Sequence, residues 1–290
     1  MRPDVRFLSK HALLCLSRGD AYFGRRRREF LRHLFQWDAR VRNGGNIAAE
    51  GTERATVILL NYRRPWNIRM LVRSALRCES IERVLVCDNS GVLHPEGFDT
   101  DPRLELRMLH GNRGTSARFE EARSCNSHFF LAIDDDLLLS PEQIHTLFRH
   151  LCTRPEVPHG VFGEDIVSGE ERVFAITGRE GPVDIINRTY AFTREHVAAF
   201  FQILRRLDMT NEEVTNRGDD IVLSYSGSGK PICHDVGVLL SCPTCAMDGI
   251  AGFREPGFWA YRKWLLEKLE NLGRMPGRNI RSQAGCGDCK

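Results

Sequence analysis

Short apolar runs, each stopped by a polar cluster, alternate along this chain with stretches of helical spacing. "ATVILL" (55–60) suits a buried strand and runs into "NYRR" (61–64). Pro65 stands at a helix start, and Ile68, Leu71, Val72, Ala75 and Leu76 then repeat at three- and four-residue steps. "IERVLVCDNS" (81–90) and "LELRMLH" (104–110) read as two more strands, the first ending in polar residues. "GTSARFEEARSC" (114–125) reads as a helix with Thr115 or Ser116 as its cap. "HFFLAI" (128–133) is a fourth strand, and "SPEQIHTLFRHLC" (140–152) a helix with Ser140 as cap and Pro141 at its first position. This order predicts an α/β domain with a mostly parallel central sheet flanked by helices. Ligands of such sheets bind beyond the C-terminal strand ends, so "NYRR", "CDNS" (87–90) and the three aspartates after "HFFLAI" should converge on one crevice.

The second half is more mixed. "VFAIT" (173–177) and "INRTYAFT" (186–193) read as strands, and "REHVAAFFQILRRL" (194–207) as an amphipathic helix. "DDIVLSYSGS" (219–228) begins a helix with two acids, and "GFWAYRKWLLEKLENLG" (257–273) is a long helix stopped by Gly273. Residues 1–50 read as a basic helical extension closed by the glycine-rich "RNGGNIAAEGTER" (42–54), and 277–290 as a tail. No internal repeat or low-complexity segment interrupts the chain.

Composition narrows the class only a little. The 290 residues can bury a substantial core, and 42% hydrophobic with 27% charged residues is ordinary for a soluble globular protein. A net charge of +3 does not imply nucleic acid. The run "GRRRREF" (24–30) is read first as a solvated helix face, with contact to an anionic membrane surface or a polyanionic substrate as the alternative. No apolar stretch reaches membrane-spanning length, and the N-terminus makes a poor signal peptide, so the expectation is a cytoplasmic protein, with peripheral membrane contact through that basic segment as the alternative to a solvated face. Ten cysteines include two Cys-x-x-Cys pairs, Cys242/Cys245 and Cys286/Cys289. A structural Zn²⁺ needs four such ligands, but the gap between the pairs is long for a compact zinc ribbon, and thiols or a disulfide are the favoured reading.

The chemistry concentrates in Asp134, Asp135 and Asp136. Three carboxylates at the end of a buried strand repel one another and call for a positive partner. A hard divalent cation takes carboxylate oxygens and keeps positions open for phosphate, so Asp136 and Asp134 are candidate metal ligands and Asp135 a candidate for a sugar hydroxyl. The bland alternative, a capping cluster before "SPEQ", is weakened because Ser140 already supplies a cap. "SGSGKP" (226–231) fails as a phosphate loop: Pro231 stands where a metal-holding Ser or Thr belongs, and Ser224 replaces the first glycine. His234 beside Asp235 reads as a surface or core histidine, with a role near the donor as the weaker option.

Taken in order, these segments resemble the GT-A glycosyltransferases, and among them the exostosin-like family, over about residues 55–276. "TVILLNYRRPWNIRMLVRSAL" (56–76) is similar to the opening strand, loop and helix, where Arg64 takes the nucleotide-contacting place. "VCDNSG" (86–91) matches the second strand end, with Asn89 toward the uracil or ribose. "NRGTSARF" (112–119) resembles the stretch before the metal motif, with Arg118 and Asn112, and "LAIDDDLLLSPEQI" (131–144) follows the metal strand. "NRGDDIVLSY" (216–225) places Asp220 at the catalytic acid, with Asp219 beside it. "GFREPGFWAYRKWLLEKLENLGRMP" (252–276) places Arg254 toward the diphosphate.

The resemblance implies a GT-A (Rossmann-like) nucleotide-diphospho-sugar transferase fold. It also implies a Mn²⁺ or Mg²⁺ dependent transfer of N-acetylhexosamine from a UDP-sugar to a glycan or other hydroxyl acceptor, with retention of configuration. Three alternatives stay open. One is an inverting transferase of the family-2 kind, in which Asp220 would be a general base. The others are a nucleic-acid-binding zinc module, which leaves the aspartates unexplained and repelling phosphate, and a catalytically dead glycan-binding domain.

Overall fold

The computed structural model describes residues 21–62, 64–109, 111–167, 173–177, 180–242, 245 and 251–273, with side chains of 21–31, 167 and 173–177 left aside. The strands are β1 (Ala55–Asn61), β2 (Ile81–Asp88), β3 (Leu104–Met108), β4 (Phe129–Asp134), β5 (Leu137–Leu138), β6 (His159–Val167), β7 (Val173–Thr177), β8 (Gly181–Pro182), β9 (Ile185–Thr193), β10 (Ile232–Cys233) and β11 (Leu240–Ser241). The helices are α1 (Ala21–Asn43), α2 (Pro65–Leu76), α3 (Ala117–Ser124), α4 (Pro141–Thr153), α5 (Arg194–Leu207), α6 (Asn211–Val214), α7 (Asp219–Ser224) and α8 (Phe258–Asn271).

Nine strands form one sheet in the order β3-β2-β1-β4-β9-β6-β10-β8, with β7 beside β6. The pairs β3-β2, β2-β1, β1-β4 and β6-β10 are parallel, while β9 runs against both β4 and β6. Six of the nine strands therefore point one way, as the apolar runs predict. Register brings their polar ends together: Asn61 lies opposite Asp88, Leu60 opposite Asp134, and Asp88 opposite Met108.

The two-residue period of the strands divides the core between two faces. Val57, Leu59, Val84, Val86, Leu131 and Ile133 face Ile68 and Leu71 of α2 and Ile144 and Leu147 of α4. Ile58, Leu60, Leu85, Phe130 and Ala132 face Phe119 of α3, Phe200 of α5, Ile221 of α7 and Leu265 of α8. Because both faces are covered, the central strands read as unbroken apolar runs. Leu34, Trp37 and Val41 of α1 are buried in the first layer, so this helix packs on the sheet's own core.

Helix ends follow the sequence signals. Ser140 caps α4 with a reciprocal box: the Gln143 N–H donates to Ser140 Oγ at 3.3 Å, and the Ser140 N–H to Gln143 Oε1 at 2.9 Å. Ser116 caps α3 by position, but its hydroxyl donates to the Asn211 carbonyl and not to its own helix. The helix expected over 219–228 is one short piece, Asp219–Ser224, after which the chain bends. The strand β6 has no counterpart among the expected elements. Its "HGVFGEDIV" mixes glycines and acids into what period-two patterning would keep apolar.

Candidate active site

Each of the three aspartates meets an arginine. Asp134 closes β4 and receives Arg118 Nη2 at 2.8 Å. Asp135 pairs with Arg64, accepts the Tyr62 N–H at 2.8 Å, and its carbonyl accepts Asn67 Nδ2 at 2.6 Å. Asp136 receives Arg188 Nη2 at 2.9 Å and Nε at 3.2 Å, with Arg64 Nη2 at 3.8 Å from its other oxygen. Two like charges 4 Å apart near a protein surface repel by about 4 kcal/mol, so a triple of carboxylates persists only with such compensation. The positive partner that the sequence demands is thus supplied, in the folded chain itself, by three guanidinium groups.

Burial and charge set the three acids apart. Burial raises the Asp135 carboxyl to about 7, with Arg64 opposing. Asp134 is also pushed up by burial, against Arg118. For Asp136 burial acts in the same direction, but Arg188 and Arg64 outweigh it and hold the carboxyl below the usual range. Asp134, with 25% of its side chain exposed, and Asp136, with 17%, open toward solvent more than Asp135 at 7%. Asp135 thus ties the "NYRR" loop to the strand end, while the outer two face outward.

The neighbouring strand ends are locked by amides. Asn61 Nδ2 donates to Asp88 Oδ1 at 2.7 Å, and Asp88 also takes the Ser90 and Leu93 N–H groups. These bonds hold Asp88 below the ordinary carboxylate range against its burial. Buried Asn89 donates to the Gly114 carbonyl at 3.1 Å and accepts the Arg113 N–H at 3.1 Å, so it clamps the loop before α3. Gly114 must be glycine: its φ is +70°, and a Cβ there would lie 2.2 Å from Thr215 Oγ1. Asn112 is exposed, and its Oδ1 accepts the Gly114 N–H at 2.9 Å.

This loop joins the two halves of the site. Arg118 is buried over the Tyr190 ring, 4.8 Å from its centroid. Thr115 Oγ1 donates to Asp219 Oδ1 at 2.8 Å. Burial raises Asp219 to about 7, and its Oδ2 carries no hydrogen bond among the described residues. Asp220 receives Arg262 Nη1 at 2.8 Å on both oxygens, and Arg262 Nη2 reaches Glu164 Oε2 at 2.9 Å. Asn187 Nδ2 holds the other Glu164 oxygen at 2.8 Å.

The structure therefore gathers Arg64, Asn89, Arg118, Asp134, Asp135 and Asp136 at the strand ends, with Asp219 linked to them through Thr115 and Arg118 and Asp220 next to it in the chain. Arg254 lies on the exposed turn Gly252–Arg254, and the arginine brought to Asp220 is Arg262, eight residues further on in α8. Arg188, Glu164 and Arg262 have no motif in the sequence to announce them. His234 is buried and bonded to His159 at 2.8 Å and Glu180 at 2.7 Å, a core histidine's environment. Cys242 and Cys245 are described; Cys286 and Cys289 lie outside the described residues.

The sequence pattern of the glycosyl transferase family 64 domain matches residues 55–228, more than half of the chain. The chain belongs to glycosyltransferase family 64. The fold of this family 64 protein is the expected α/β type, with its mostly parallel sheet and flanking helices. Similar curated proteins are named glucosamine inositolphosphorylceramide transferase 1. Those from Oryza sativa subspecies indica and japonica are 27% identical over 122 residues, 39% of this chain and 16% of theirs. That from Arabidopsis thaliana is 23% identical over 212 residues, 65% of this chain and 26% of its own. The family 64 chain thus matches about a quarter or less of these relatives' length. Among solved structures, the mannosyltransferase PcManGT from Pyrobaculum calidifontis, in complex with GDP-Man and Mn2+, gives a TM-score of 0.47 at 16% identity, covering 94% of this chain and 76% of that one. S. aureus TarS 1–349 in complex with UDP gives 0.43 at 14% identity, covering 64% and 59%.

Proposed function

We propose that this family 64 protein moves an N-acetylhexosamine from a UDP-sugar to a hydroxyl acceptor, a glycan or a lipid headgroup, in a metal-dependent and retaining reaction of the exostosin-like kind. The observation that carries the reading is the Asp134–Asp136 cluster at the end of β4, flanked by the polar ends of β1 and β2. The relatives' name, with a glucosamine transferred, supports an amino sugar. The catalytic unit is taken as 51–276, with 1–50 as a basic extension and 277–290 as a tail.

Mn²⁺ or Mg²⁺ would be held by Asp136 with Asp134, the hard oxygen donors such an ion takes. Among the described residues no three or more His, Cys, Asp or Glu side chains gather as a metal cage. When bound, the metal supplies positive charge to the leaving diphosphate. Arg64 and Arg118 add fixed positive charge at the strand ends, a preorganised field of the kind that dominates transition-state stabilisation. Asn89 holds the 112–114 loop, where we place the uracil or ribose, with Asn112 at the loop's exposed side. Asp135 fixes Arg64 and has its second role toward a sugar hydroxyl. Asp220, oriented by Arg262, faces the transferred sugar or the acceptor hydroxyl, and Arg254 is a further diphosphate contact.

The test is direct. UDP-sugar hydrolysis with Mn²⁺ and no acceptor should be measurable and should stop with EDTA. The product's anomeric configuration, read by NMR, should match the donor's; inversion would make Asp220 a general base.

A further inference from the structure

Arg188 lies on β9, next to Thr189, which pairs with Ile133 of the metal strand β4. Its backbone is left-handed, with φ of 62°, a region disfavoured for any residue with a Cβ. The Tyr190 hydroxyl accepts its N–H at 3.0 Å. The guanidinium then lies 4.7 Å over the Phe162 ring of β6. It donates to Asp136 Oδ1 through two nitrogens, to the Asp136 carbonyl at 3.2 Å, and to Ser241 Oγ at 3.1 Å. Ser241 is seated opposite Leu137, one residue past Asp136, by the β11–β5 pair, and the Cys242 N–H bonds the Asp136 carbonyl at 2.7 Å. A strained residue kept in place by several separate elements marks a functional constraint.

The constraint falls on the carboxylate that the proposed reaction assigns to the metal. A divalent ion and a guanidinium cannot share Asp136 Oδ1 without strong repulsion, and Arg64 and Arg118 already stand nearby. A nucleotide diphosphate would relieve that repulsion by adding negative charge.

We propose that Arg188 is a resident counter-charge that gates Asp136, so that metal enters this site together with a nucleotide diphosphate and only weakly without it. This rests on the reading of Asp136 as a metal ligand. Metal and nucleotide then bind with positive coupling, and each tightens the other by the same factor.

The test uses the whole chain, with Mn²⁺ alone and Mn²⁺ with UDP as probes, read by calorimetry and by the EPR signal of free Mn²⁺. In the wild type, UDP should tighten Mn²⁺ binding on the order of 10-fold or more. Arg188→Met should bind Mn²⁺ alone on the order of 10-fold more tightly than the wild type and lose most of the coupling. Ser241→Ala keeps every charge and removes one restraint on the guanidinium; it should shift both quantities the same way by a smaller factor. Melting curves establish that each variant folds, and Ser241→Ala carries the test if the methionine variant does not. Unchanged Mn²⁺ affinity in the folded variants overturns the gate while leaving metal dependence standing. A wild type that binds no Mn²⁺ with or without UDP, and binds UDP equally in EDTA, overturns the metal reading and the gate with it.

Discussion

Arg262 bridges Asp220 and Glu164 in the interior, with both Asp220 oxygens 2.8 Å from its Nη1 and Glu164 Oε2 2.9 Å from its Nη2. One cation thus serves two buried acids from α7 and β6, and the two ends of the bridge answer differently to mutation. Asp220→Asn keeps size and leaves Arg262 paired with Glu164, so folding and the affinity for UDP with Mn²⁺ should survive. Transfer should fall on the order of 10²-fold or more, because an interaction made mainly in the transition state is lost. Calorimetry set beside a transfer assay reads both, and near-normal transfer would reduce Asp220 to a helix-end acid.

Arg262→Met strands two carboxylates without their cation. Breaking a buried pair this way costs about 3–5 kcal/mol, most of it the penalty of the charge left behind. Denaturant unfolding should show that loss, whereas Asp220→Asn should lose far less.

Asp136→Ala should abolish turnover, a loss on the order of 10²-fold or more, and weaken UDP binding when Mn²⁺ is present. UDP affinity in the wild type that does not change on adding EDTA would contradict the assignment.

Asp219 should make stability depend on pH with an uncommon sign. Burial lifts its folded pKa to about 7 from the ordinary carboxylate value of 3.8. Between these values the folded chain binds more protons at this site than the unfolded one, so its contribution to stability falls as pH rises through that window and is lowest above 7. Asp219→Asn removes the titration while still offering an oxygen to Thr115. The melting temperature of the variant, relative to the wild type, should therefore rise from pH 5 to pH 8; a constant difference would show that Asp219 does not titrate there.

Leu34 is fully buried in the layer with α2 and α4. Leu34→Ala should destabilise the whole domain by about 2–5 kcal/mol in a single transition. A separate early transition would instead make α1 an appendage. The arginines at 25–28 lie in the N-terminal third of this helix, and pelleting with anionic liposomes should show binding at low salt that is lost at high salt.

The parts of this molecule that were legible in the sequence are those written locally. The run 55–60, Pro65, the strand before Asp134 and the Ser140 cap each declare themselves within a few residues, because strand burial and capping act over that range. The strand ends converge as expected for the same reason: parallel order brings Asn61, Asp88 and Asp134 together once the elements are known. The ion pairs are another matter. Arg262 meets an acid 42 residues away and another 98 away, and Arg188 meets one 52 away. No periodicity encodes such distances, so nothing local marks Arg188 or Arg262. Strand β6 is not legible in the sequence because Glu164, a buried charge paired with Arg262, breaks its apolar pattern.

The late strands carry a practical consequence for dissecting the protein. A fragment ending at residue 228, where the family pattern stops, would keep the three aspartates, Arg64, Arg118, Arg188 and Glu164. It would lack β10, which joins β6 to β8, the β11 strand that seats Ser241 against Arg188, and the helix that brings Arg262. Such a truncation would expose an unpaired sheet edge and leave Glu164 and Asp220 without their cation. The shortest piece worth expressing extends through Asn271.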